Sequence, residues 1–302
     1  MNESIKEYMK TGIIHFMAYP TTIKGEGNIE ETIRKIAVDN YFDAIEITWI
    51  KDAGVRKNVK SMLDSSKLTV AYGSQPRMLT TGLNINSLDE SIRLESLQSL
   101  KDGIDEAYEM GAVGFAFLSG KYEEETKEAS FNALVKSTRE LCAYAKQKGS
   151  MPVSLEIFDY DIDKKSIIGP VALAKRFAET ICAEFDNFGL LVDLSHIPMI
   201  RESLEENILP IKDYIIHAHM GNTVIKEGCD AFGDTHPRFG FPNSENDVDE
   251  LVDYLRILMK IGFISKERRP IVSFEVKPWG NEDPDIVIAN SKRVLDLAWS
   301  KV

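Results

Sequence analysis

Four short apolar segments in the second half of the chain each carry, near their ends, a side chain that can bind a metal ion. The segments read PVSLEIF, GLLVDLSH, YIIHAHMGN and PIVSFEVKPWG, and the side chains are Glu156, Asp193, His219 and Glu275. An isolated buried carboxylate is strongly destabilising, and a divalent cation shared by all four residues would offset that cost. Three carboxylates and one imidazole form an oxygen-rich set. This set favours Mn²⁺ or Mg²⁺, with Zn²⁺, Co²⁺ and Fe²⁺ as alternatives.

Such a set of residues supports proton transfer on sugars. A divalent ion that binds a carbonyl oxygen and the neighbouring hydroxyl polarises both, so the proton on the adjacent carbon becomes more acidic and an enediolate can form. Glu156 and Glu275 come from different sides of the predicted ion, so one can remove a proton while the other, or His196, delivers one elsewhere. Isomerase, epimerase and lyase outcomes all remain open, because the loops choose among them.

The elements that position these residues are predicted from the alternation of short β-branched or aromatic runs with longer stretches of helical period. The predicted strands are Gly12–Met17, Phe42–Thr48, Leu68–Tyr72, Ala112–Phe117, Val153–Ile157, Gly189–Leu194, Tyr214–His219 and Ile271–Val276. The predicted helices are Ile29–Val38, Ala53–Ser65, Ser91–Met110, Ala129–Gln147, Val171–Glu184, Val248–Ile261 and Asp285–Ser300. Eight strands, nearly all followed by a helix, predict an α/β fold of the (β/α)8 TIM-barrel type, as a single domain over residues 1–302.

A barrel places the carboxyl ends of its strands at the active site, and side-chain parity agrees with this placement. Ser154 shares a strand face with Glu156, and Ser273 shares one with Glu275. A small polar layer beneath the candidate ligands fits a barrel lumen, since the outer face must be apolar to receive helices. Two long loops, at roughly 74–88 and 220–246, are predicted to carry function.

Further residues have both a functional and a structural interpretation. Lys277 could stabilise an oxyanion or bind an acidic substrate group, or it could be a solvated lysine paired with a loop carboxylate. His236 could be a general acid–base group oriented by Asp234, or a hydrogen-bonding loop residue. Glu46, on the second strand, either lines the site or makes a structural hydrogen bond.

Five other positions are assigned in the same way. Tyr72, Gln75 and Trp279 are predicted to line the pocket, because sugars stack on aromatic rings, although each could belong to the core. His15 is assigned chiefly to interior packing. His217 lies one layer below His219 and is assigned a supporting or structural role.

Composition excludes several classes of function. The net charge of −12 argues against a nucleic-acid partner, because no basic stripe is available to displace phosphate counterions. The polar N-terminus and the lack of a long apolar run argue against a secretory signal and a membrane span. The three cysteines, Cys142, Cys182 and Cys229, are widely spaced, which is typical of a reduced compartment. We therefore expect a cytoplasmic protein with a small-molecule substrate.

The segments EIFDYD, LVDLSHIP, HAHMGN, GDTHPRFG and SFEVKPW, in that order, resemble the xylose isomerase-like barrel superfamily. That group includes sugar isomerases, ketose 3-epimerases, inositol-catabolism enzymes and endonuclease IV enzymes. The resemblance implies one metal ion held by Glu156, Asp193, His219 and Glu275. It also implies that His196, in the D-x-x-H motif, lies beside the metal and contacts substrate.

Two branches of the superfamily carry further residues that this sequence lacks. The endonuclease branch binds three zinc ions with histidines from strands three and four, where this chain reads VAYGSQP and GFAFLSG. Asp234 and His236 resemble loop ligands of that branch, but the trinuclear cluster is incomplete. Ketose epimerases place an arginine six residues after the strand-seven histidine, where this chain has Ile225. This argues against simple ketose epimerase activity.

The chain also resembles the large catalytic subunits of bacterial C-glycoside deglycosidases, which act with a small β-rich partner subunit. We therefore predict C–C bond cleavage of a 3-oxo-C-glycoside, with Mn²⁺ as the preferred ion and an oligomeric assembly. The alternative is a sugar or sugar-phosphate isomerase or epimerase. A metal-free binding subunit is a third interpretation, which the intact ligand set disfavours.

Overall fold

The computed structural model describes residues 3–302, in which eight strands form one parallel sheet. The strands are β1 Lys10–Ile13, β2 Ala44–Ile47, β3 Thr69–Gly73, β4 Phe115–Leu118, β5 Val153–Glu156, β6 Phe188–Asp193, β7 Ile215–Gly221 and β8 Ile271–Glu275. Their hydrogen-bonded order is β1-β8-β7-β6-β5-β4-β3-β2. A single parallel bridge between Ile14 and Glu46 links the two ends of the sheet, so the barrel is nearly closed.

Helices follow the strands and cover the outer face of the sheet. Within the described residues they are α1 His15–Ala18, α2 Ile29–Ala37, α3 Ala53–Ser66, α4 Gln75–Leu79, α5 Glu90–Met110, α6 Lys127–Lys148, α7 Val171–Cys182, α8 His196–Ile200, α9 Leu204–Ile208, α10 Val248–Lys260 and α11 Pro284–Lys301. Short 3-10 turns lie at Ile5–Glu7, Pro20–Thr22, Glu124–Thr126 and Leu209–Tyr214.

Local sequence explains where several helices begin. The carboxylate of Asp89 accepts the backbone N–H groups of Ser91 and Ile92 at the start of α5. Asp283 caps α11 in the same way, and Pro284 occupies its first turn, where a missing N–H group costs nothing. These caps satisfy N–H groups that the first turn of a helix leaves without partners, so the helix boundaries are set by the sequence itself.

Alternation along the strands separates the lumen from the outer layer. Leu155 and Phe274 face the helices and are fully buried, while Glu156 and Ser273, their neighbours in the chain, face the lumen. Barrel lumens are usually filled by bulky branched side chains. Here the amino-terminal half of the lumen is lined by small residues such as Ala116 and holds a cavity of about 210 Å³, which we call the lower cavity.

The TIM-barrel prediction is confirmed, and all eight predicted strands are present with shifts of a few residues at their ends. The first strand is the largest exception, because the prediction Gly12–Met17 includes four residues that belong to or precede α1. Helices α1, α4, α8 and α9 have four or five residues and were not predicted. Elements this short carry too little periodicity to be recognised. Among residues 3–302, no helix is both long enough and apolar enough to cross a membrane.

Candidate metal centre

The carboxyl ends of β5, β6, β7 and β8 bring four predicted ligands together. One ligand atom from each of Glu156, Asp193, His219 and Glu275 lies within 4.8 Å of the others. All four side chains are buried, with Glu275 the most accessible at 6% exposure. His219 Nδ1 lies 2.7 Å from Glu275 Oε2 and 3.5 Å from Glu156 Oε1, so the four groups surround one small volume.

Three of these atoms are buried without a hydrogen-bond partner. Glu156 Oε1, His219 Nδ1 and Glu275 Oε2 make no hydrogen bond of good geometry to the described part of the chain, although the last two approach within 2.7 Å of each other. Buried polar atoms in folded proteins nearly always have partners, so three orphaned atoms in one cluster point to a missing ligand. Oxygen and imidazole donors at this spacing fit one divalent cation.

The electrostatics of the cluster also favour an added positive charge. Burial raises the pKa of Glu275 to about 7, and the neighbouring charge of Glu156 acts in the same direction. Burial alone would lower the pKa of His219, but Glu46 and Glu275 hold it well above its ordinary value. The surrounding carboxylates therefore favour positive charge at this position.

Each candidate ligand is oriented by a further contact. Gln75 donates to Glu156 Oε2 at 2.6 Å, and Ser195 donates to both Asp193 oxygens, through its backbone at 2.8 Å and its hydroxyl at 2.6 Å. Glu46 Oε2 lies 3.2 Å from His219 Nε2 and accepts its N–H, which leaves the Nδ1 lone pair facing the cluster. Such contacts fix the geometry of metal ligands and raise their affinity.

A second group beside the first is built around Asp234. Its Oδ1 lies 3.1 Å from His196 Nε2 and 2.6 Å from His236 Nε2, and Lys164 Nζ lies 2.9 Å from its Oδ2. Burial would raise the pKa of Asp234, but the charges of His236, Lys164 and His196 hold it well below its ordinary value. Lys164 therefore balances the charge of Asp234.

The two histidines of this group differ in their remaining contacts. His196 Nδ1 donates to the carbonyl of Ile157 at 2.8 Å, so both of its ring nitrogens face oxygen acceptors. His236 Nδ1 is buried and has no hydrogen-bond partner among the described residues. His236 also has a positive φ of 50°, a strained conformation that is often found at functional sites. Opposing its burial, Asp234 and Glu275 raise the pKa of His236 to about 9.

A cavity of about 220 Å³ opens over the candidate ligands; we call it the metal-site cavity. Its polar lining includes Lys164, His236 and Lys277, and its apolar lining includes Phe16 and Phe158. The backbone N–H of Lys277 donates to the carbonyl of His236 at 2.6 Å, which ties the loop after β7 to the end of β8. The cavity can therefore hold a small polar molecule against both groups of titratable residues.

Three other predicted site residues, Gln75, Glu46 and Lys277, also line this cavity. Tyr72 lies elsewhere, because its side chain is on the outer face of β3, where its ring stacks on Phe115 and its hydroxyl accepts from Arg77. Trp279 is 37% exposed and packs edge to face against Phe241.

The two histidines assigned to supporting roles have different surroundings. His15 is in α1, and its Nε2 lies 2.8 Å from Thr32 Oγ1, which places it in interior packing away from the cluster. His217 Nε2 lies 2.7 Å from Glu46 Oε1, one layer below the candidate ligands.

Two residues beside the candidate site, Asp159 and Lys164, were missed by the sequence analysis. Asp159 is fully buried, and its carboxylate accepts the backbone N–H groups of Ile162, Asp163 and Lys164. This turn directs Lys164 towards Asp234. The signal was present in the segment EIFDYDIDKK, since an aspartate followed by polar residues is typical of a side-chain-capped turn.

Comparisons with solved structures agree with this architecture. The chain is similar to a D-psicose 3-epimerase from Clostridium cellulolyticum H10, crystallised with D-tagatose, at 17% identity and a TM-score of 0.70, over 97% of this chain and 99% of that one. An L-ribulose 3-epimerase gives 18% identity and a TM-score of 0.73, over 97% and 95% of the two chains. A 3-keto-D-glucoside 4-epimerase from E. coli gives 18% identity and a TM-score of 0.65, over 97% and 99%. At these identities the likeness concerns the fold.

Sequence comparisons identify the family. No curated protein sequence matches the chain. The model of the xylose isomerase-like TIM barrel family matches residues 35–285, which is most of the chain and includes all four candidate ligands. The protein therefore belongs to the xylose isomerase-like TIM barrel family.

Proposed function

We propose that the protein is a divalent-metal-dependent sugar isomerase or epimerase that moves a proton at a carbon next to a carbonyl. The observation that carries the proposal is the set of orphaned buried atoms on Glu156, His219 and Glu275, which converge beneath a cavity. The similar solved structures described above are named as epimerases of ketoses and of a 3-keto-glucoside, which supports the same class of reaction. We propose Mn²⁺ as the ion, because most of the donors are oxygens.

In this proposal the chain's own residues hold and move the proton. A bound divalent ion would polarise the carbonyl and the neighbouring hydroxyl of the substrate. Glu156 and Glu275 end strands that are separated by β6 and β7, so they approach the cavity from different sides. One carboxylate takes the proton and the other returns it, which gives an epimer when the return is to the opposite face.

The remaining polar residues stabilise and orient the substrate. Lys164, His196 and His236 form a positively charged group around Asp234, and this group favours negative charge that develops on a substrate oxygen. Lys277 reaches the same cavity from the end of β8. Gln75 holds the second oxygen of Glu156, so that carboxylate keeps one orientation through the reaction.

C–C bond cleavage of a 3-oxo-C-glycoside is the second candidate. It is favoured by the absence of arginine among the described residues that line the metal-site cavity, whose lysines are Lys164 and Lys277. Ile225 occupies the position where ketose epimerases carry their substrate-binding arginine. In this candidate reaction a carboxylate removes a proton next to the carbonyl. The bond between the sugar and the aglycone carbon then breaks, and His236 protonates the aglycone carbon. A small β-rich partner subunit belongs to this candidate.

Solvent exchange tests the proposal. Purified protein loaded with Mn²⁺ is incubated in D₂O with D-tagatose, L-ribulose or a 3-keto-D-glucoside, and deuterium incorporation next to the carbonyl is followed by NMR. We expect incorporation that stops when EDTA removes the ion. Release of an aromatic aglycone from a 3-oxo-C-glycoside would favour the lyase. A chain that purifies without any divalent ion and cannot be loaded with one would support the binding subunit and contradict both enzymes.

A further inference from the structure

A second and larger cavity lies beside the metal-site cavity. It has a volume of about 450 Å³, against about 220 Å³ at the metal site. Its walls come from residues 78–85, 118–121 and 163–166. Leu79 and Lys164 line both cavities, so the two adjoin at these side chains. We call the larger cavity the side groove. A monosaccharide at the metal site would leave most of this concave surface empty.

The walls of the side groove combine apolar and polar groups. Met78, Leu79, Leu83, Ile85 and Leu118 supply apolar surface, and Leu79 is 44% exposed. Asn84, Ser166 and Lys121 supply hydrogen-bonding groups. A concave site of this kind typically receives an apolar ring that carries a few polar substituents.

Hydrogen bonds hold the groove in a preformed shape. Asn84 Nδ2 and Asn86 Nδ2 donate to the carbonyl of Lys121 at 2.9 and 2.8 Å, and the Gly120 N–H donates to Asn86 Oδ1 at 2.5 Å. Ser137 Oγ donates to the carbonyl of Ile85 at 2.9 Å. A groove that is already ordered loses little entropy when a ligand fills it.

The junction between the cavities is electrically balanced. Lys164 Nζ lies 2.9 Å from Asp163 Oδ2 and 2.9 Å from Asp234 Oδ2. Although burial opposes it, these carboxylates raise the pKa of Lys164, so the lysine stays charged and paired. A neutral group can pass this junction without leaving a buried charge unpaired, whereas a phosphate would compete with two carboxylates for the lysine.

We infer that the substrate is a glycoside, with its sugar at the metal site and a neutral, ring-bearing aglycone in the side groove. This inference rests on the proposed function for the position of the sugar. The segment that opens with Gln75 and continues through Ile85 serves both ends of such a substrate, since Gln75 holds Glu156 and Leu79–Ile85 line the groove. A free ketose at the metal site would leave the side groove, the larger of the two cavities, unused.

Calorimetric binding to the Mn²⁺-loaded protein tests the inference with three probes: 3-keto-D-glucose, its 4-nitrophenyl β-glycoside and its 6-phosphate. We expect the aryl glycoside to bind at least roughly tenfold more tightly than the free sugar, because its ring buries apolar surface. Equal affinity of the first two probes would overturn the inference. Tightest binding of the phosphate would also overturn it, because the groove would then select charge.

Two substitutions fill the groove and one provides a matched control. Leu83→Trp and Lys121→Trp should each remove the tenfold preference for the glycoside and leave the affinity for 3-keto-D-glucose unchanged. Lys121 is exposed, so its substitution tests the groove even if Leu83→Trp does not fold. The control is Leu88→Trp, three residues beyond Ile85, which is 53% exposed and does not line the groove. If both groove variants keep the full preference, the aglycone lies elsewhere.

Binding and turnover separate this inference from the proposed function. A glycoside preference that the groove variants abolish, without deuterium exchange on any probe, would contradict the proposed function and leave the inference intact. Metal-dependent exchange with equal affinities for the glycoside and the free sugar would support the proposed function and contradict the inference.

Discussion

The upper and lower parts of the barrel lumen contain the same kinds of residue in opposite states. In the upper part, Glu156, His219 and Glu275 each present a buried atom without a hydrogen-bond partner among the described residues. In the lower part, both oxygens of Glu46 are engaged, one with His217 at 2.7 Å and one with His219 at 3.2 Å. Groups with hydrogen-bond partners orient their neighbours, whereas buried groups without such partners are candidates to bind a ligand. The comparison thus separates candidate metal ligands from residues that orient them.

The two glutamates respond to burial in opposite ways. Burial would raise the pKa of Glu46, but His217 and His219 hold it well below its ordinary value. Burial raises the pKa of Glu275 to about 7, since the nearby Glu156 adds to that effect. Both glutamates lie near two imidazoles, but only Glu275 also shares its space with a second carboxylate, that of Glu156. A bound cation would therefore neutralise excess negative charge only in the upper lumen.

The largest expected effect comes from removing a candidate ligand. His219→Ala or Glu156→Gln should abolish both metal content and turnover, because the first removes one of only four donors and the second removes the negative charge of another. Metal content is measured by elemental analysis of the purified protein, and turnover by the exchange assay. His15→Gln is the matched control, since His15 is a buried imidazole outside the cluster and should retain the ion. Full activity in either ligand variant without bound metal would show that the metal hypothesis is wrong.

A smaller effect is expected from Glu46→Gln. The variant keeps the size of the side chain but loses the charge that fixes the His219 tautomer, so the metal dissociation constant should rise about 10–100-fold. Turnover should largely recover at saturating Mn²⁺, because the four donors remain. Metal titration followed by activity against Mn²⁺ concentration checks both parts. An unchanged dissociation constant would mean that Glu46 has only a structural role.

The strand ends could be predicted from the sequence, because strands and helices each have a simple periodicity of apolar residues. Glu156 and Asp193 follow apolar runs that can only be buried strands, and barrel topology then brings those ends together. Tyr72 shows the limit of this reasoning. Its aromatic ring suggested the pocket, because sugars stack on such rings, but strand parity places it outward, where it stacks on Phe115.

The loops could not be predicted, because their geometry depends on contacts between distant segments. Lys164 reaches Asp234, which is 70 residues away in the sequence, through a turn held by Asp159. The side groove likewise requires Asn84 and Asn86 to bond with Lys121. Neither contact produces a periodic sequence pattern from which it could be predicted. The sequence therefore predicted the residues of the candidate metal site more completely than the shape of the loops and cavities around them.

The smallest expected effect comes from His217→Gln in the lower lumen. A glutamine amide can still donate to Glu46 Oε1, and Glu46 Oε2 keeps its bond to His219, so metal affinity should change by no more than a few fold. Metal titration is compared with that of Glu46→Gln, and thermal unfolding shows that both variants fold. A loss as large as that of Glu46→Gln would mean that the charge of His217 maintains the orientation of Glu46. The residues of the lower lumen would then belong to the metal site. The distinction between a hydrogen-bonded lower lumen and an upper lumen with unpaired atoms would no longer hold.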